Sequence, residues 1–277
     1  MIEFSELRRK AREWKIPEQT IEKDYVLGWV LKGIFSDELL RESLVLKGGT
    51  ALRKTYFPEY RFSEDLDFTG TKNLDLELLK ERLNVFTSVI TEQSGIEFET
   101  IKVEKTRDKL GEEAYDVRLY FIGPRRQRVD PPRIKLDISY YEELMLPSEK
   151  RILFHPYSDE KDCIAEVEVY TLGEILAEKM RALIQRTRPR DLYDVWFLLK
   201  FHSDSFKREK LTDLFLKKCA YKKVEYKSIK KFGFEDRKQD FINTWRTSLQ
   251  NQLRSPPDGE TVINEIKSLL DSLFLVQ

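Results

Sequence analysis

Three aspartates lie in two short segments whose alternation of apolar and polar residues is typical of β-strands. Asp65 and Asp67 flank a leucine, and Asp137 lies in the alternating segment 135–139. Alternate residues of a strand face the same side of a sheet, so Asp65 and Asp67 should point into a shared space. Like charges that close together are unfavourable unless a cation lies between them, and carboxylate oxygens suit Mg²⁺. The pattern predicts that Asp65, Asp67 and Asp137 are catalytic metal ligands that hold two Mg²⁺ ions for phosphoryl or nucleotidyl transfer.

A pair of glycines precedes these carboxylates and adds a candidate phosphate site. The pair follows the apolar segment 44–46, and glycines let backbone amides approach a bound phosphate closely. Taken alone, each feature has an ordinary explanation: two aspartates one residue apart are common on solvated strands, and two glycines after a strand usually form a turn. The order strand, glycine turn, helix and Asp-x-Asp strand predicts a site for nucleotide phosphates. Its predicted phosphate-binding residues are Lys47, Gly48, Gly49, Thr50 and Ser63.

A lysine lies on the apolar face of a helix predicted over 171–186. Thr171 and Glu174 have the spacing of a capping box at the start of this helix. Lys179 lies among its apolar residues, where a lysine either extends its charged end to solvent or contacts a buried anion. A break follows, and Asp191 then has the position of an N-cap for the next helix.

Two basic segments are candidates for contact with nucleic acid. Four arginines lie within residues 125–133, and residues 217–234 alternate lysines with tyrosines and phenylalanines. Such basic residues are usually only a solvated surface. They could instead contact phosphates while the aromatic rings stack on bases. For the arginines, neither explanation is favoured over the other. The arginines are Arg125, Arg126, Arg128 and Arg133.

The composition of the whole chain excludes several classes of protein. Its 277 residues, 40% of them hydrophobic, suit one globular domain or two small ones. The 49 basic and 49 acidic residues balance, so any affinity for nucleic acid must come from a local surface. Two cysteines and two histidines are too few for a disulfide framework or a zinc cluster. The N-terminus lacks an apolar signal core and no long apolar run occurs, so we expect a cytoplasmic protein without a membrane span.

Helices and turns must position these residues. Helices are predicted over 3–14 and from 16 to about 35, and Glu22-Lys23-Asp24 in the second is predicted to be a solvated face. Residues 105–113 are predicted to be a charged turn, and residues 147–156 an irregular connection. Strands alternate with helices up to about residue 170, and the rest is helical in pattern. We predict an α+β fold, with a mixed sheet and flanking helices over 1–170 and a helical C-terminal domain over 171–277.

The order of these motifs resembles a known superfamily. Gly48-Gly49-Thr50, then Asp65-Leu66-Asp67, then Asp137 is similar to the minimal signature of nucleotidyltransferases of the DNA polymerase β type. The match is extended by Glu22-Lys23-Asp24-Tyr25, by the segment 178–183 and by Arg190-Asp191-Leu192-Tyr193-Asp194. Together these segments, which span roughly residues 15–200, resemble the AbiEii/AbiGii nucleotidyltransferase toxin family, which includes MenT-like toxins.

The resemblance implies a polymerase β-like fold and a Mg²⁺-dependent enzyme that transfers a nucleoside monophosphate from an NTP to RNA, with the 3′ end of tRNA as the expected acceptor. It implies that Lys179 contacts the triphosphate, that Asp191 orders Lys179 or the nucleotide, and that Arg190 adds a phosphate contact. It also implies an antitoxin protein, encoded elsewhere, as a partner. Two alternatives stay open: an acceptor that is a small molecule or a protein side chain, and a non-catalytic nucleotide-binding module on the same scaffold.

Overall fold

A computed structural model describes residues 1–107, 113–140 and 142–274. The strands are β1 (Leu44–Lys47), β2 (Asp65–Gly70), β3 (Glu97–Arg107), β4 (Glu113–Ile122), β5 (Arg133–Ser139), β6 (Glu149–Ile152) and β7 (Glu166–Val169). The helices are α1 (Phe4–Trp14), α2 (Glu18–Ser36), α3 (Glu38–Ser43), α4 (Gly48–Ala51), α5 (Leu76–Ser94), α6 (Leu172–Gln185), α7 (Pro189–Phe201), α8 (Arg208–Tyr221), α9 (Lys238–Leu249) and α10 (Gly259–Phe274). A π-helical turn, Leu52–Tyr56, follows α4 directly.

The strands form one mixed sheet in the order β3-β4-β5-β2-β1-β7-β6. β2 is parallel to β5 and β1 is parallel to β7, whereas the remaining neighbours are antiparallel. Along β2 and β5 the apolar residues Leu66, Phe68, Leu136 and Ile138 are buried, and the polar residues between them retain exposure. The alternation predicted from the sequence therefore separates a core face from a polar face, and the α+β class is confirmed.

The described residues belong to two compact units. The first comprises Met1–Glu142 and Ser148–Tyr170 and contains the sheet with α1 to α5. The second comprises Glu143–Pro147 and Thr171–Gln277 and contains α6 to α10. The predicted division into domains 1–170 and 171–277 stays a prediction. Among the described helices, each is too short or too polar to cross a lipid bilayer.

Glu22 and Asp24 of α2 are buried, so the predicted solvated face is wrong for these two residues, whereas Lys23 between them is partly exposed. Glu22 and Asp24 are each only 1% exposed. Asp24 accepts hydrogen bonds from Arg53 Nε and Lys54 Nζ of the π-helical turn, each at 2.8 Å. Burial alone would raise the pKa of Asp24, but the two cations outweigh it and hold that pKa well below its ordinary value. The ion pairs bind α2 to the segment between the glycines and β2, which positions the carboxylates.

Two predicted connections differ from the structure. The segment 147–156 contains β6, which pairs with β7 at one edge of the sheet. Three of the four residues of β6 are charged, as is common in edge strands, so no apolar alternation marks it in the sequence. The charged turn predicted over 105–113 is shorter, because β3 extends to Arg107 and β4 begins at Glu113. Residues 108–112 of that turn lie outside the described residues.

The start of α6 has only half of the predicted capping box. Thr171 caps the helix as predicted, since its side chain accepts from Glu174 N at 3.3 Å. The Glu174 carboxylate instead accepts from Met145 N at 3.0 Å and Leu146 N at 3.1 Å, and it lies 2.5 Å from Lys218 Nζ. Glu174 thus holds the segment Glu143–Pro147 to the helical unit.

Aromatic residues of the helical unit form part of its core. The ring of Phe232 lies 6.0 Å from that of Phe215 and 5.6 Å from that of Phe234, and Phe232 and Phe234 are buried. Tyr226 packs edge-on against Phe215, with ring centroids 4.9 Å apart. Rings packed in this way cannot also stack on bases, so Phe232 and Phe234 belong to the core and not to a stacking groove, which was the alternative explanation for 217–234.

Candidate active site

The predicted carboxylates lie on one face of the sheet, on two neighbouring strands. Asp67 of β2 lies directly opposite Asp137 of β5, and Asp65 lies two residues before Asp67. β4 places Asp116 opposite Asp137 on its other side, and β1 places Lys47 opposite Asp67. Four adjacent strands therefore carry one row of charged side chains, Lys47, Asp67, Asp137 and Asp116.

Asp116 was not among the predicted site residues. Its signal in the sequence is weak: Asp116, Arg118 and Tyr120 alternate with apolar residues, which predicts a strand with one polar face but no particular partner. The structure supplies the partner, because Asp116 is opposite Asp137 in the antiparallel pair of β4 and β5.

The glycine turn lies against one of these carboxylates. Gly48 has a φ of +77°, which residues with a side chain rarely adopt, and a Cβ there would lie 2.6 Å from Asp67 Oδ2. A Cβ on Gly49 would lie 2.7 Å from Arg61 Nη2 and 3.2 Å from Ser63 Oγ. The structure thus places Gly48 beside Asp67 and Gly49 beside Ser63 and the buried Arg61.

Thr50 and Lys47 have partners within the fold. Thr50 Oγ1 donates a hydrogen bond to the backbone oxygen of Asp65 at 2.5 Å, which joins the glycine turn to the start of β2. A hydroxyl that donates its one proton there cannot also donate it to a phosphate. Lys47 is 7% exposed, and its Nζ lies 5.8 Å from the centre of the Tyr170 ring.

A lysine occupies the space beside the third predicted metal ligand. Lys135 Nζ lies 2.6 Å from Asp137 Oδ1 and 2.8 Å from Asp137 Oδ2, and it lies 3.2 Å from Asp116 Oδ2. In the part of the chain that the structure describes, no three His, Cys, Asp or Glu side chains have the geometry of a metal site. The donor chemistry nevertheless fits Mg²⁺, since all the candidate ligands are carboxylates, and Gly48 leaves open the space against Asp67 that a Cβ would fill.

The pKa of the Asp65 carboxyl is raised above its ordinary value. Desolvation by the surrounding protein is the largest cause, although the residue is exposed at the start of β2, and the negative charge of Glu64 is the next. Lys23 and Lys135 act in the opposite direction, and Asp137 raises the pKa further. A carboxylate in such surroundings is stabilised by an added cation.

Lys179 binds two carboxylates in the helical unit. Its Nζ lies 2.7 Å from Asp191 Oδ1 and 3.0 Å from Asp194 Oδ2, and Arg186 Nε lies 2.7 Å from Asp191 Oδ2. The side chains of Asp191 and Asp194 are 3% and 0% exposed. Burial alone would raise the pKa of Asp191, but Lys179 and Arg186 outweigh it and hold that pKa well below its ordinary value. Arg186 and Asp194 were not predicted, although Asp194 follows Asp191 by three residues and so shares a helix face with it.

Asp191 does not cap α7, so that prediction is wrong. The N-cap residue is Arg188, and Asp191 lies in the first turn of the helix with its carboxylate turned to Lys179 and Arg186. Arg190, predicted to contact phosphate, donates from Nε to the backbone oxygen of Ser248 at 3.4 Å. Both residues therefore contribute contacts inside the helical unit.

Three of the four arginines within 125–133 are paired with acidic side chains. Arg125 Nη1 lies 3.6 Å from Glu22 Oε2, and the Arg125 amide donates to Glu22 Oε1 at 2.8 Å. Arg126 and Arg128 lie 3.5 Å and 3.2 Å from the Glu97 carboxylate. Arg133 lies with its guanidinium 6.0 Å from the ring centre of Tyr120. A bound polyanion would have to compete with these partners.

Comparison with known proteins identifies the family. The model of the family described as "Nucleotidyl transferase AbiEii toxin, Type IV TA system" matches residues 29–272. No curated protein sequence matches the chain closely enough to count as a relative.

Solved structures share the fold. MenT4, a nucleotidyltransferase toxin from Mycobacterium tuberculosis H37Rv, superposes with a TM-score of 0.70 at 20% identity, covering 100% of this chain and 91% of that one. JHP933 from Helicobacter pylori gives 0.61 at 20% identity, with 93% of each chain covered. A protein described as a nucleotidyltransferase from H. pylori gives 0.62 at 20% identity, covering 93% of this chain and 96% of that one. Because the family model covers well over half of its length, the chain belongs to the AbiEii family of nucleotidyltransferase toxins.

Proposed function

We propose that the protein transfers a nucleoside monophosphate from an NTP to RNA in a Mg²⁺-dependent reaction, with the 3′ end of tRNA as the acceptor. One observation carries the transfer chemistry of this proposal: Asp67 lies directly opposite Asp137 on neighbouring parallel strands, with Asp65 on the same face. The RNA acceptor is carried over from the resemblance to the toxin family. In the reaction the acceptor hydroxyl oxygen loses its proton to solvent and forms a bond to the α-phosphorus, while the bond from that phosphorus to the bridging oxygen of the β-phosphate breaks and pyrophosphate leaves.

Each residue has a separate part in this proposal. Asp65, Asp67 and Asp137 would hold the two Mg²⁺ ions, which when bound lower the pKa of the acceptor hydroxyl and stabilise the leaving pyrophosphate. Gly48 and Gly49 allow phosphate oxygens to approach the backbone, and Ser63 Oγ lies beside them. Thr50 holds the turn to Asp65 O, and Lys47 supplies positive charge next to Asp67.

The helical unit contributes nucleotide-binding residues to the proposal. Lys179 and Arg190 contact phosphate, and Asp191 positions Lys179 through the 2.7 Å ion pair. The support for this assignment is the resemblance of the segments around Lys179 and Asp191 to the toxin family, together with the contact between the two side chains.

We expect an antitoxin protein as a partner, as for other toxins of this family. We also propose that the protein acts in the cytoplasm, where both NTP and RNA are present.

A second acceptor class, a small molecule or a protein side chain, is favoured by a specific observation. The arginines at 125–128 are ion-paired, and Phe232 and Phe234 are buried, so each segment offers fewer unpaired cations or exposed rings to RNA than its sequence indicates.

The test is incubation of the protein with each α-³²P-labelled NTP, Mg²⁺ and total RNA. Label in RNA of tRNA length supports the proposal, and label only in the protein or in small molecules supports the second acceptor class. Asp67→Asn should abolish transfer, because it replaces a metal ligand with a neutral isostere. The matched control is Asp75→Asn, since Asp75 caps α5 and asparagine caps a helix equally well. Transfer by Asp67→Asn at the wild-type rate would refute the site.

A further inference from the structure

We propose that Lys135 is the resident cation of the carboxylate row and competes with the metal ion for Asp137. This proposal rests on the metal site proposed above and adds the residue that sets its affinity for metal. The motifs that resemble the toxin family do not include Lys135, although it precedes Asp137 by two residues on β5.

The ammonium of Lys135 contacts both carboxylate oxygens of Asp137. Its Nζ lies 2.6 Å from Oδ1 and 2.8 Å from Oδ2 of that carboxylate. A metal ion bound at Asp137 would lie close to this ammonium, and the two positive charges repel each other, so the ammonium weakens metal binding unless it moves away. The side chain of Asp137 is 44% exposed, so solvent and ions reach it, and the exchange does not require the sheet to open.

The surroundings of Lys135 provide a place for the ammonium after exchange. Asp116 Oδ2 already lies 3.2 Å from Lys135 Nζ, and the side chain of Asp116 is only 13% exposed. On the other side Asp65 lies opposite Lys135 in the register of β2 and β5. Lys135 can therefore keep Asp116 as its partner while Asp137 binds the metal.

This exchange would join metal binding to nucleotide binding. Without metal, the ammonium lies against the carboxylates of both Asp137 and Asp116, and Arg118 Nε lies 2.9 Å from Asp116 Oδ1. When metal takes Asp137, Lys135 keeps Asp116, which it shares with Arg118, as its carboxylate partner. The row then has more positive charge beside Asp65 and Asp67, which favours an anion such as the triphosphate.

The direct test measures the binding of Mn²⁺ without nucleotide, by the electron paramagnetic resonance signal of free Mn²⁺. Lys135→Met keeps the length of the side chain and removes the charge, so it should bind Mn²⁺ at least about tenfold more tightly than the wild type, equivalent to about 1.4 kcal/mol. Lys102→Met is the matched control, because Lys102 is opposite Arg118 on the same sheet and its Nζ lies 5.4 Å from the centre of the Tyr120 ring. Lys102→Met should bind Mn²⁺ as the wild type does. Adding Asp67→Asn to each protein should weaken binding, which shows that Mn²⁺ occupies this site.

The possible results separate this proposal from the metal site itself. Equal or weaker binding of Mn²⁺ by Lys135→Met, with binding still sensitive to Asp67→Asn, overturns the role of Lys135 and leaves the metal site standing. No binding of Mn²⁺ by the wild type or any variant refutes the metal site, and this proposal with it.

A second measurement needs no variant and serves if Lys135→Met does not fold. An amine-acylating reagent is applied to the wild type with and without Mg²⁺, and modified peptides are quantified by mass spectrometry. Acylation of Lys135 should be at least about threefold faster with Mg²⁺, because the ammonium leaves Asp137, whereas Lys102 should react equally in both conditions. Equal rates at Lys135 overturn the proposal.

Discussion

Replacement of Lys179 by methionine should destabilise the helical unit. Lys179 Nζ lies 2.7 Å from Asp191 Oδ1 and 3.0 Å from Asp194 Oδ2, and those side chains are 3% and 0% exposed. Methionine keeps most of the apolar stem but removes the charge, so two buried carboxylates lose a cation. On the sequence alone the opposite result is expected, since a lysine without a partner on an apolar face is itself destabilising.

The expected loss of stability depends on the burial of the two carboxylates and on Arg186, which still contacts Asp191 in the variant. Removal of one partner of a buried ion pair costs about 3–5 kcal/mol, because the other charge is left uncompensated. Arg186 Nε still lies 2.7 Å from Asp191 Oδ2, so we take the lower end of that range. A loss of about 3 kcal/mol should lower the melting temperature by roughly 6–12 °C.

Chemical denaturation at pH 7 measures this loss, with Lys217→Met as the matched control. Lys217 is 2.8 Å from Asp213 in the same unit, but the two side chains are 60% and 63% exposed, so its loss should cost less than about 1 kcal/mol. Adding Asp194→Asn to Lys179→Met should recover part of the lost stability, because it removes one of the uncompensated charges. Lys179→Met as stable as Lys217→Met would refute the reasoning.

The pH dependence gives an independent check with a defined sign. The folded-state pKa of Asp191 lies below its unfolded-state value, so the ion pair stabilises the fold fully above about pH 4. Its contribution is lost progressively as the pH falls from there towards the folded-state pKa. The difference in stability between wild type and Lys179→Met should therefore shrink on acidification below about pH 4. A difference that is constant with pH would show that the carboxylate charge is not what Lys179 compensates.

Three further predictions concern the sheet unit and its loops. Gly48→Ala should cost at least about 1–2 kcal/mol, because φ is +77° and the new Cβ would meet Asp67, whereas Gly173→Ala, with its nearest neighbour at 3.7 Å, should cost nothing measurable by denaturation. Thr50→Val should cost about 1 kcal/mol through removal of the hydrogen bond to Asp65 O, measured in the same way. Joint replacement of Arg126 and Arg128 by alanine should make the plot of log K for RNA binding against log salt concentration less steep, by about 0.7 for each phosphate that the variant no longer neutralises. An unchanged slope would show that these arginines serve only their pairs with Glu97.

Alternation within single strands was sufficient to predict which face of its strand each carboxylate occupies, but the pairing of Asp67 with Asp137 is a property of the sheet. Asp65 and Asp67 share a face because they are two residues apart, and burial of Leu66 and Leu136 fixes the faces of β2 and β5. Lys135 was visible in the same pattern, two residues before Asp137. A lysine next to an aspartate on a strand is commonly a solvated pair, however, and the sequence does not show that β4 would bring Asp116 to the same ammonium.

Charges whose partners come from other elements were not predictable. Helical periodicity describes α2 alone, so Glu22 and Asp24 had the appearance of a solvated face. The cations that allow Asp24 to be buried, Arg53 and Lys54, lie in a different element about 30 residues later, in a π-helical turn that no sequence signal distinguishes from an ordinary helix. Burial of a charged residue follows from such a partner, and the partner is a property of the tertiary fold.

Lys179 already contacts two buried carboxylates without nucleotide, so a contact with phosphate requires a change of partner. Lys179 and Arg186 carry two positive charges, and Asp191 and Asp194 carry two negative ones, so these four groups cancel without nucleotide. A triphosphate that binds Lys179 must draw the ammonium from a carboxylate, and its net affinity is reduced by the cost of that separation. The ion pair of Lys179 and its proposed phosphate contact can be measured separately. Loss of stability in Lys179→Met without nucleotide reports the ion pair, whereas loss of the extra stabilisation by Mg²⁺-NTP reports the phosphate contact, because that shift follows ligand affinity. If Lys179→Met is less stable without nucleotide but is still stabilised by Mg²⁺-NTP as much as the wild type, Lys179 serves only the fold.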